Sequence, residues 1–332
     1  MRSFGGVWER IVSRENLETA MRRAARGKRD RPPVARFLER AEEELDDLWR
    51  ELQEERYQPR PFTQFRIRDP KPRTISCADF RDRVVHHALC DVCGPLIERR
   101  FIADSFACRV GKGAHRAVVR AQTFSRRHRY FLKADIKSFY DSVDVETAVA
   151  LVSRLFRERP VRWLWAAILR HPFPGQLPGK GLPIGSLTSQ WTANLYLDGL
   201  DHRIQEEWRM PGYVRYMDDF AVWCDDKDSL WRLRDRIEAW LAAERGLTLK
   251  EAVTRVAPAG EGLPFLGLRI FPGCLRLQRG RRLRLARLVR VREKAYEAGE
   301  LDAAGLVASF RAANGILEYF GLKGLVSSSM DV

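Results

Sequence analysis

The stretch Tyr216-Met217-Asp218-Asp219 constrains this chain more than any other. It lies between Gly212-Tyr213-Val214-Arg215-Tyr216-Met217 and Phe220-Ala221-Val222-Trp223-Cys224, two runs rich in aromatic and β-branched residues. Each run reads as a strand, because such side chains fit a pleated, half-buried surface. Short polar residues accept turn geometry, so the two aspartates fall at a hairpin tip. Two carboxylates on a rigid tip suit hard divalent cations, which take oxygen ligands. Taken alone, the pair reads equally as a solvated turn.

A third carboxylate gives the pair a partner. Tyr130 to Ile136 reads as a strand, with Leu132, Ala134 and Ile136 on one face and Lys133 and Asp135 on the other. By itself Asp135 reads first as a helix cap, since a helix follows. In a β-α-β-β arrangement this strand and the hairpin lie side by side in one antiparallel sheet. Asp135, Asp218 and Asp219 are then expected to converge on two metal ions. Mg²⁺ suits such a site because it takes one or two carboxylates plus substrate phosphates, and Mn²⁺ is the alternative ion.

The charge balance points to the same kind of partner. The 332 residues hold 59 Lys and Arg against 44 Asp and Glu, a net charge of +15. Such a chain attracts a polyanion, most often nucleic acid. An anionic membrane fits the charge too, but no apolar run reaches the length of a span. Residues 1–10 contain no apolar signal core, so a cytoplasmic protein is expected. The six dispersed cysteines do not resemble a disulfide framework. Cys90-x-x-Cys93 with His86 has metal-like spacing, but Val84, Val85, Ala88, Leu89 and Val92 make a packed helix the better reading than zinc.

The rest of the chain supplies scaffold and cations. Residues 1–30 read as one helix and a basic connector ending at Pro32-Pro33, and Val34 to Tyr57 as one long helix with a single apolar seam. Phe62 to Ile75 forms a hairpin whose tip carries Arg66, Arg68, Lys71 and Arg73. A helix over Asp79–Ile97 precedes the Gly-rich basic loop Phe106–Gly113, which could hold a phosphate through backbone N–H groups. Helices are expected over Val143–Phe156, Val161–Leu169, Gly185 to about Trp208, and Leu230–Glu244. Leu247–Val256 reads as a strand or turn-strand containing Lys250. A hairpin over Leu263–Leu277 leads to a basic helical tail from Arg281.

These blocks carry a resemblance. Tyr216-Met217-Asp218-Asp219 resembles the YxDD box of reverse transcriptases, and Phe131 to Tyr140 their first catalytic-aspartate motif. Phe106 to His115 is similar to the fingers motif FRPGRSAH, and Phe265-Leu266-Gly267 to the primer-grip hairpin. Ile184-Gly185-Ser186-Leu187-Thr188-Ser189-Gln190 stands where most bacterial members have QGxxxSP, and resembles the form found in diversity-generating retroelements. The resemblance implies an α/β right-hand polymerase, its α+β palm built on an antiparallel sheet. Its parts would be an N-terminal helical extension over 1–61, fingers over 62–125, palm over 126–270 with a fingers insertion at about 160–190, and primer-grip end and thumb over 271–332.

The activity implied is RNA-directed DNA synthesis by two-metal nucleotidyl transfer, error-prone at template adenines. Asp135, Asp218 and Asp219 would be catalytic and hold the ions, with Lys250 protonating pyrophosphate. Lys71, Arg73, Arg109, Phe139, Tyr140, Ile184 and Gln190 would surround the nucleotide, Tyr140 excluding a ribose 2′-hydroxyl. Glutamine at position 184 could hydrogen-bond where isoleucine cannot, and losing a contact of about 1 kcal/mol relaxes discrimination several-fold. Arg281, Arg284, Arg287 and Arg290 would lie on the template–primer backbone. The partners implied are template RNA, primer, cDNA product, dNTPs and a basic oligomeric accessory variability determinant protein. Too few residues follow Ile270 for an endonuclease or maturase domain. A defence-associated or domesticated reverse transcriptase, and a non-catalytic RNA-binding scaffold of the same fold, are the competing readings.

Overall fold

The computed structural model describes residues 3–68 and 72–319. The chain opens with α1 (Trp8–Ile11), α2 (Arg14–Ala25), α3 (Pro32–Glu39) and α4 (Ala41–Gln53), then a hairpin of β1 (Thr63–Arg68) and β2 (Pro72–Cys77). Next come α5 (Phe80–Glu98), α6 (Ala114–Arg127) and β3 (Tyr130–Asp135). α7 (Phe139–Ser142), α8 (Val145–Ser153), α9 (Arg159–Arg170) and α10 (Leu187–His202) lead to the hairpin of β4 (Gly212–Tyr216) and β5 (Asp219–Cys224). After α11 (Lys227–Arg245) come β6 (Arg255–Pro258), β7 (Leu263–Phe265), β8 (Leu268–Ile270) and β9 (Leu275–Leu277). The helices α12 (Arg279–Glu297) and α13 (Ala303–Tyr319) follow. The class is α/β with antiparallel sheets, as the sequence led one to expect.

Two compact units divide these elements. One comprises Met1–Ala103, Ile136–Glu207 and Arg236–Leu249. Three of its helices, α2, α5 and α8, start where a side chain satisfies a free N–H group. Ser13 accepts from Asn16 N, Asp79 from Arg81 N, and Asp144 from Thr147 N. Pro32 and Pro33 do not end a connector but open α3, where a missing N–H costs nothing. The expected single helix over Val34–Tyr57 is two helices, broken at Arg40 (φ −117°, ψ 30°). The helix expected from Gly185 starts at Leu187 and continues beyond His202 as a π-helical turn, Arg203–Glu207. Cys90 and Cys93 lie in the packed face of α5. Burial pushes both thiols up, Cys93 to about 12, which keeps them protonated within this packed helix.

The other unit comprises Asp104–Asp135, Trp208–Asp235 and Lys250–Val332. It carries an antiparallel four-stranded sheet in the order β4-β5-β3-β6, and a three-stranded sheet β7-β8-β9. The alternation of β3 divides the larger sheet cleanly. Phe131, Lys133 and Asp135 pair with Trp223, Ala221 and Asp219, so all six share one face. Phe131, Ala221 and Trp223 belong to a core with Val118, Ala121 and Phe124 of α6 and with Phe265, Leu268 and Ile270 of the small sheet. Gly212 permits the close approach: a Cβ there would lie 2.9 Å from Phe124 Cδ1 and 3.0 Å from Trp223 Cβ. Of the stretch Leu247–Val256 only Arg255 and Val256 enter a named strand, because Lys250 opens a 3₁₀ turn over Glu251–Val253. Among the described residues, no helix is long and apolar enough to cross a membrane.

Candidate active site

At one end of that shared face the apolar side chains give way to polar ones. Asp135 stands opposite Asp219 in the β3–β5 ladder. Directly opposed residues of an antiparallel pair have Cβ atoms about 4.5–5.5 Å apart. The β4–β5 hairpin closes with Tyr216 paired to Asp219, so Met217 and Asp218 alone make the turn. Met217 has a φ of +57°, a left-handed conformation that costs a non-glycine residue roughly 1–2 kcal/mol. Arg215 helps to hold it. Its guanidinium is fully buried and donates from Nη1 to the Met217 carbonyl at 3.0 Å.

Lys133 is the residue that sequence reasoning passed over. It is 5% exposed, and its ammonium donates to the Ala134 carbonyl at 2.9 Å and forms an ion pair with Asp219. Burial pushes the Asp219 carboxyl up to about 6; the Lys133 ammonium pulls it back, and the Asp135 and Asp218 charges push it further up. Asp219 thus feels two further carboxylates and one buried ammonium, a concentration of negative charge of the kind a divalent cation can offset. Among the described residues no three His, Cys, Asp or Glu side chains stand gathered as a ready-made metal cage. The strand register sets Asp135 opposite Asp219, and Asp218 follows in the adjoining turn. A cage is not required for Mg²⁺, which takes few protein ligands and completes its shell with water and phosphate.

The surrounding loops are stitched to the same strands. Asp104 O accepts from Arg215 N, and Phe106 N donates to Arg215 O, both at 2.9 Å, which lays the chain before the Gly-rich loop along β4. Arg120 grips Asp104 through two bonds of 2.7 and 2.9 Å. Gly113 N donates to Phe106 O and closes the loop on itself. Arg109 donates to the Ser105 carbonyl at 2.5 Å. Lys250 N donates to Asp135 O at 2.8 Å, which fixes the start of its turn beside the β3 aspartate. Arg281 is half-buried and donates to Leu266 O at 3.1 Å, whereas Arg284, Arg287 and Arg290 are exposed along α12.

The remaining expected residues lie in the other unit. Arg73 is exposed on β2, and Lys71 falls outside the described residues. Phe139 is 2% exposed and packs edge-on against Tyr140 and Tyr196, so its ring is core. Tyr140 is half-buried, as are Ile184 and Gln190 at the two ends of the segment that opens α10.

Residues 67–270 match the family described as reverse transcriptase (RNA-dependent DNA polymerase). The group II intron-encoded protein LtrA of Lactococcus lactis subsp. cremoris is 24% identical over 171 residues, 48% of this chain and 28% of that one. Nuclear intron maturase 1, mitochondrial, of Arabidopsis thaliana is 29% identical over 91 residues, 27% of this chain and 13% of the relative. The chain thus spans under a third of the length of either relative. Two structures of apo telomerase from Candida tropicalis share the fold, a right-hand polymerase. One superposes with a TM-score of 0.52 at 11% identity, covering 67% of this chain and 49% of the telomerase. The other, truncated from its C-terminal domain, gives 0.50 at 13%, covering 66% and 54%. With 204 of its 332 residues matched by the family (67 to 270), the chain belongs to the reverse transcriptases.

Proposed function

We propose that the chain is an RNA-directed DNA polymerase whose nucleotidyl transfer runs at the Asp135–Asp219 end of the β3–β5 ladder. The observation that carries the reading is the cross-strand pairing of Asp135 with Asp219, with Asp218 next in the turn. Asp135, Asp218 and Asp219 are the residues that would hold Mg²⁺, or Mn²⁺ in its place. Bound there, the metal would supply charge neutralisation at the reacting phosphate. Lys133 keeps Asp219 ionised and turned, and the Arg215-bound turn keeps Asp218 at the tip. Lys250 is assigned the role of proton donor to pyrophosphate. Arg73 and Arg109 are assigned to the triphosphate as cations, Tyr140 to exclusion of a ribose 2′-hydroxyl, and Ile184 and Gln190 to the border of the incoming nucleotide.

The finer reading is a reverse transcriptase of the diversity-generating retroelement type, copying a template-repeat RNA with errors at adenines. The Ile184–Gln190 segment supports it. Fingers over 62–125, palm over 126–270 and a thumb after 271 are the matching division, with α12 on the template–primer backbone and an accessory variability determinant protein as partner. The test is primer extension by the full chain on an RNA template with dNTPs and Mg²⁺. Asp218→Ala and Asp219→Ala should abolish incorporation while RNA binding is retained. Undiminished extension by either variant overturns the assignment of the site. A wild-type chain that binds RNA and adds no nucleotide returns the scaffold reading.

A further inference from the structure

The segment Ile184–Gln190 is held by contacts that the reading above does not use. Ser186 has the backbone of a helix N-cap (φ −85°, ψ 138°), yet its side chain makes no capping hydrogen bond to a backbone N–H of α10. A capping serine ordinarily contributes about 1 kcal/mol to its helix, so the hydroxyl forgoes that bond and serves elsewhere. It lies 3.2 Å from His86 Nδ1 on α5 and 2.8 Å from Thr188 Oγ1. All three residues are buried, at 3%, 2% and 1% exposure. Burial, reinforced by the charges of His87, His171 and Arg83, pushes His86 down to about 3, so its ring is neutral at ordinary pH. A neutral imidazole offers one acceptor nitrogen. With Nδ1 as that acceptor, Ser186 donates to His86 and receives from Thr188, a chain with one direction.

The residues just before Ser186 are gripped from β2. Ser76 N donates to Ile184 O at 2.9 Å. Gly185 has a φ of +111°, and a Cβ there would lie 2.8 Å from Ile75 Cγ2 and 3.3 Å from Ser76 O. Three consecutive residues are therefore clamped between a strand and a helix, and His86 is the polar jaw on the helix side. A buried polar network of this kind fixes one geometry, because any shift leaves a hydroxyl or a ring nitrogen without a partner.

We propose that His86 is a positioning residue for nucleotide selection: through Ser186 it fixes the path of residues 184–186 and the start of α10, and so sets how strictly the incoming base is chosen. This rests on the assignment of Ile184 to the border of the nucleotide. The side chain of His86 touches no reacting atom; it acts on the frame that Ile184 rides on. Replacing it with leucine keeps an apolar filling and removes the acceptor. Asparagine keeps an acceptor oxygen near the position of Nδ1.

The experiment is single-nucleotide incorporation by the full chain on an RNA template with a DNA primer and Mg²⁺, comparing kcat/KM for matched and mismatched dNTPs opposite each template base. His86→Leu should change the ratio of matched to mismatched kcat/KM about five-fold. The change should reside in KM for the nucleotide, with kcat for the matched dNTP within two-fold of wild type. His86→Asn should restore the wild-type ratio. Ser186→Ala cuts the same bond without opening a large cavity and should repeat the leucine result, which covers poor folding of His86→Leu. A wild-type ratio in His86→Leu and Ser186→Ala overturns the proposal, as does an asparagine variant as disturbed as the leucine one. Ile184→Gln separates the two readings. If it shifts the ratio and the His86 and Ser186 variants do not, positioning by His86 alone fails; if it leaves the ratio unchanged, the assignment of the segment to the nucleotide fails and takes this proposal with it.

Discussion

Lys133→Met strips the ammonium from a buried ion pair while keeping most of the stem's volume. The Lys133 side chain is 7% exposed and that of Asp219 23%. Removing one partner of such a pair typically costs about 3–5 kcal/mol, because the other charge stays buried and uncompensated. The pH dependence follows from the carboxyl. Burial already raises Asp219 to about 6 from its ordinary 3.8, against the pull of Lys133. An acid raised in the folded state binds its proton more tightly there, so in the wild type stability falls as pH climbs from 3.8 to about 6 and is then level. Without Lys133 the folded value rises further, and the decline continues above 6 at about 1.4 kcal/mol per pH unit. The deficit of Lys133→Met should therefore be larger at pH 8 than at pH 5. Lys133→Met with Asp219→Asn removes both charges and should recover about 2–3 kcal/mol of the sum of the single losses. Hydrogen exchange at the β3 and β5 amides reads this sheet without requiring the whole chain to unfold as one. Additivity within about 0.5 kcal/mol, or equal deficits at both pH values, would refute the coupling.

Other consequences are as direct. His86, held neutral by burial, must be protonated as the chain unfolds in acid; its folded value is depressed, so its contribution is complete above 6.5 and declines toward pH 3. His86→Asn should flatten that acid limb by up to about 1.4 kcal/mol per pH unit, measured from urea midpoints between pH 7 and 4. Gly212→Ala drives a methyl group into Phe124 and Trp223 and should lower stability by about 1–3 kcal/mol, visible as a fall in Tm. Arg284, Arg287 and Arg290 recur every third residue on an exposed stretch of α12. If each meets a phosphate, each arginine-to-alanine change should lower the slope of log K against log salt by about one for template–primer binding. An unchanged slope removes α12 from the interface.

What the sequence disclosed and what it hid differ by distance along the chain. The β3 alternation was legible because Leu132 and Ala134 against Lys133 and Asp135 is a period-two pattern within six residues, and the register keeps it. The hairpin tip was legible because Asp218-Asp219 is itself turn chemistry. Arg40 was not, since the apolar seam of Leu38, Ala41 and Leu45 keeps its three-and-four spacing across the break. Lys133 and Arg215 were missed for another reason. A single cation in a strand ordinarily marks a solvated face, and burial is decided by what comes from elsewhere: Asp219, 86 positions from Lys133. His86 read as helix core or a weak zinc ligand, and its partner Ser186 lies 100 positions away.

The pattern has a physical cause. Groups assigned to the substrate sit at strand ends, turns and helix starts, where the local geometry that exposes them also restricts residue type. The side chains that hold those groups are buried, and any residue reaching across can do the holding. That is why Asp135, Asp218 and Asp219 can be named from spacing, while Lys133 needs the ladder to be seen. The ion pair is the clearest case: Lys133 reaches Asp219 across the ladder, and nothing near it in the sequence foretells that partner.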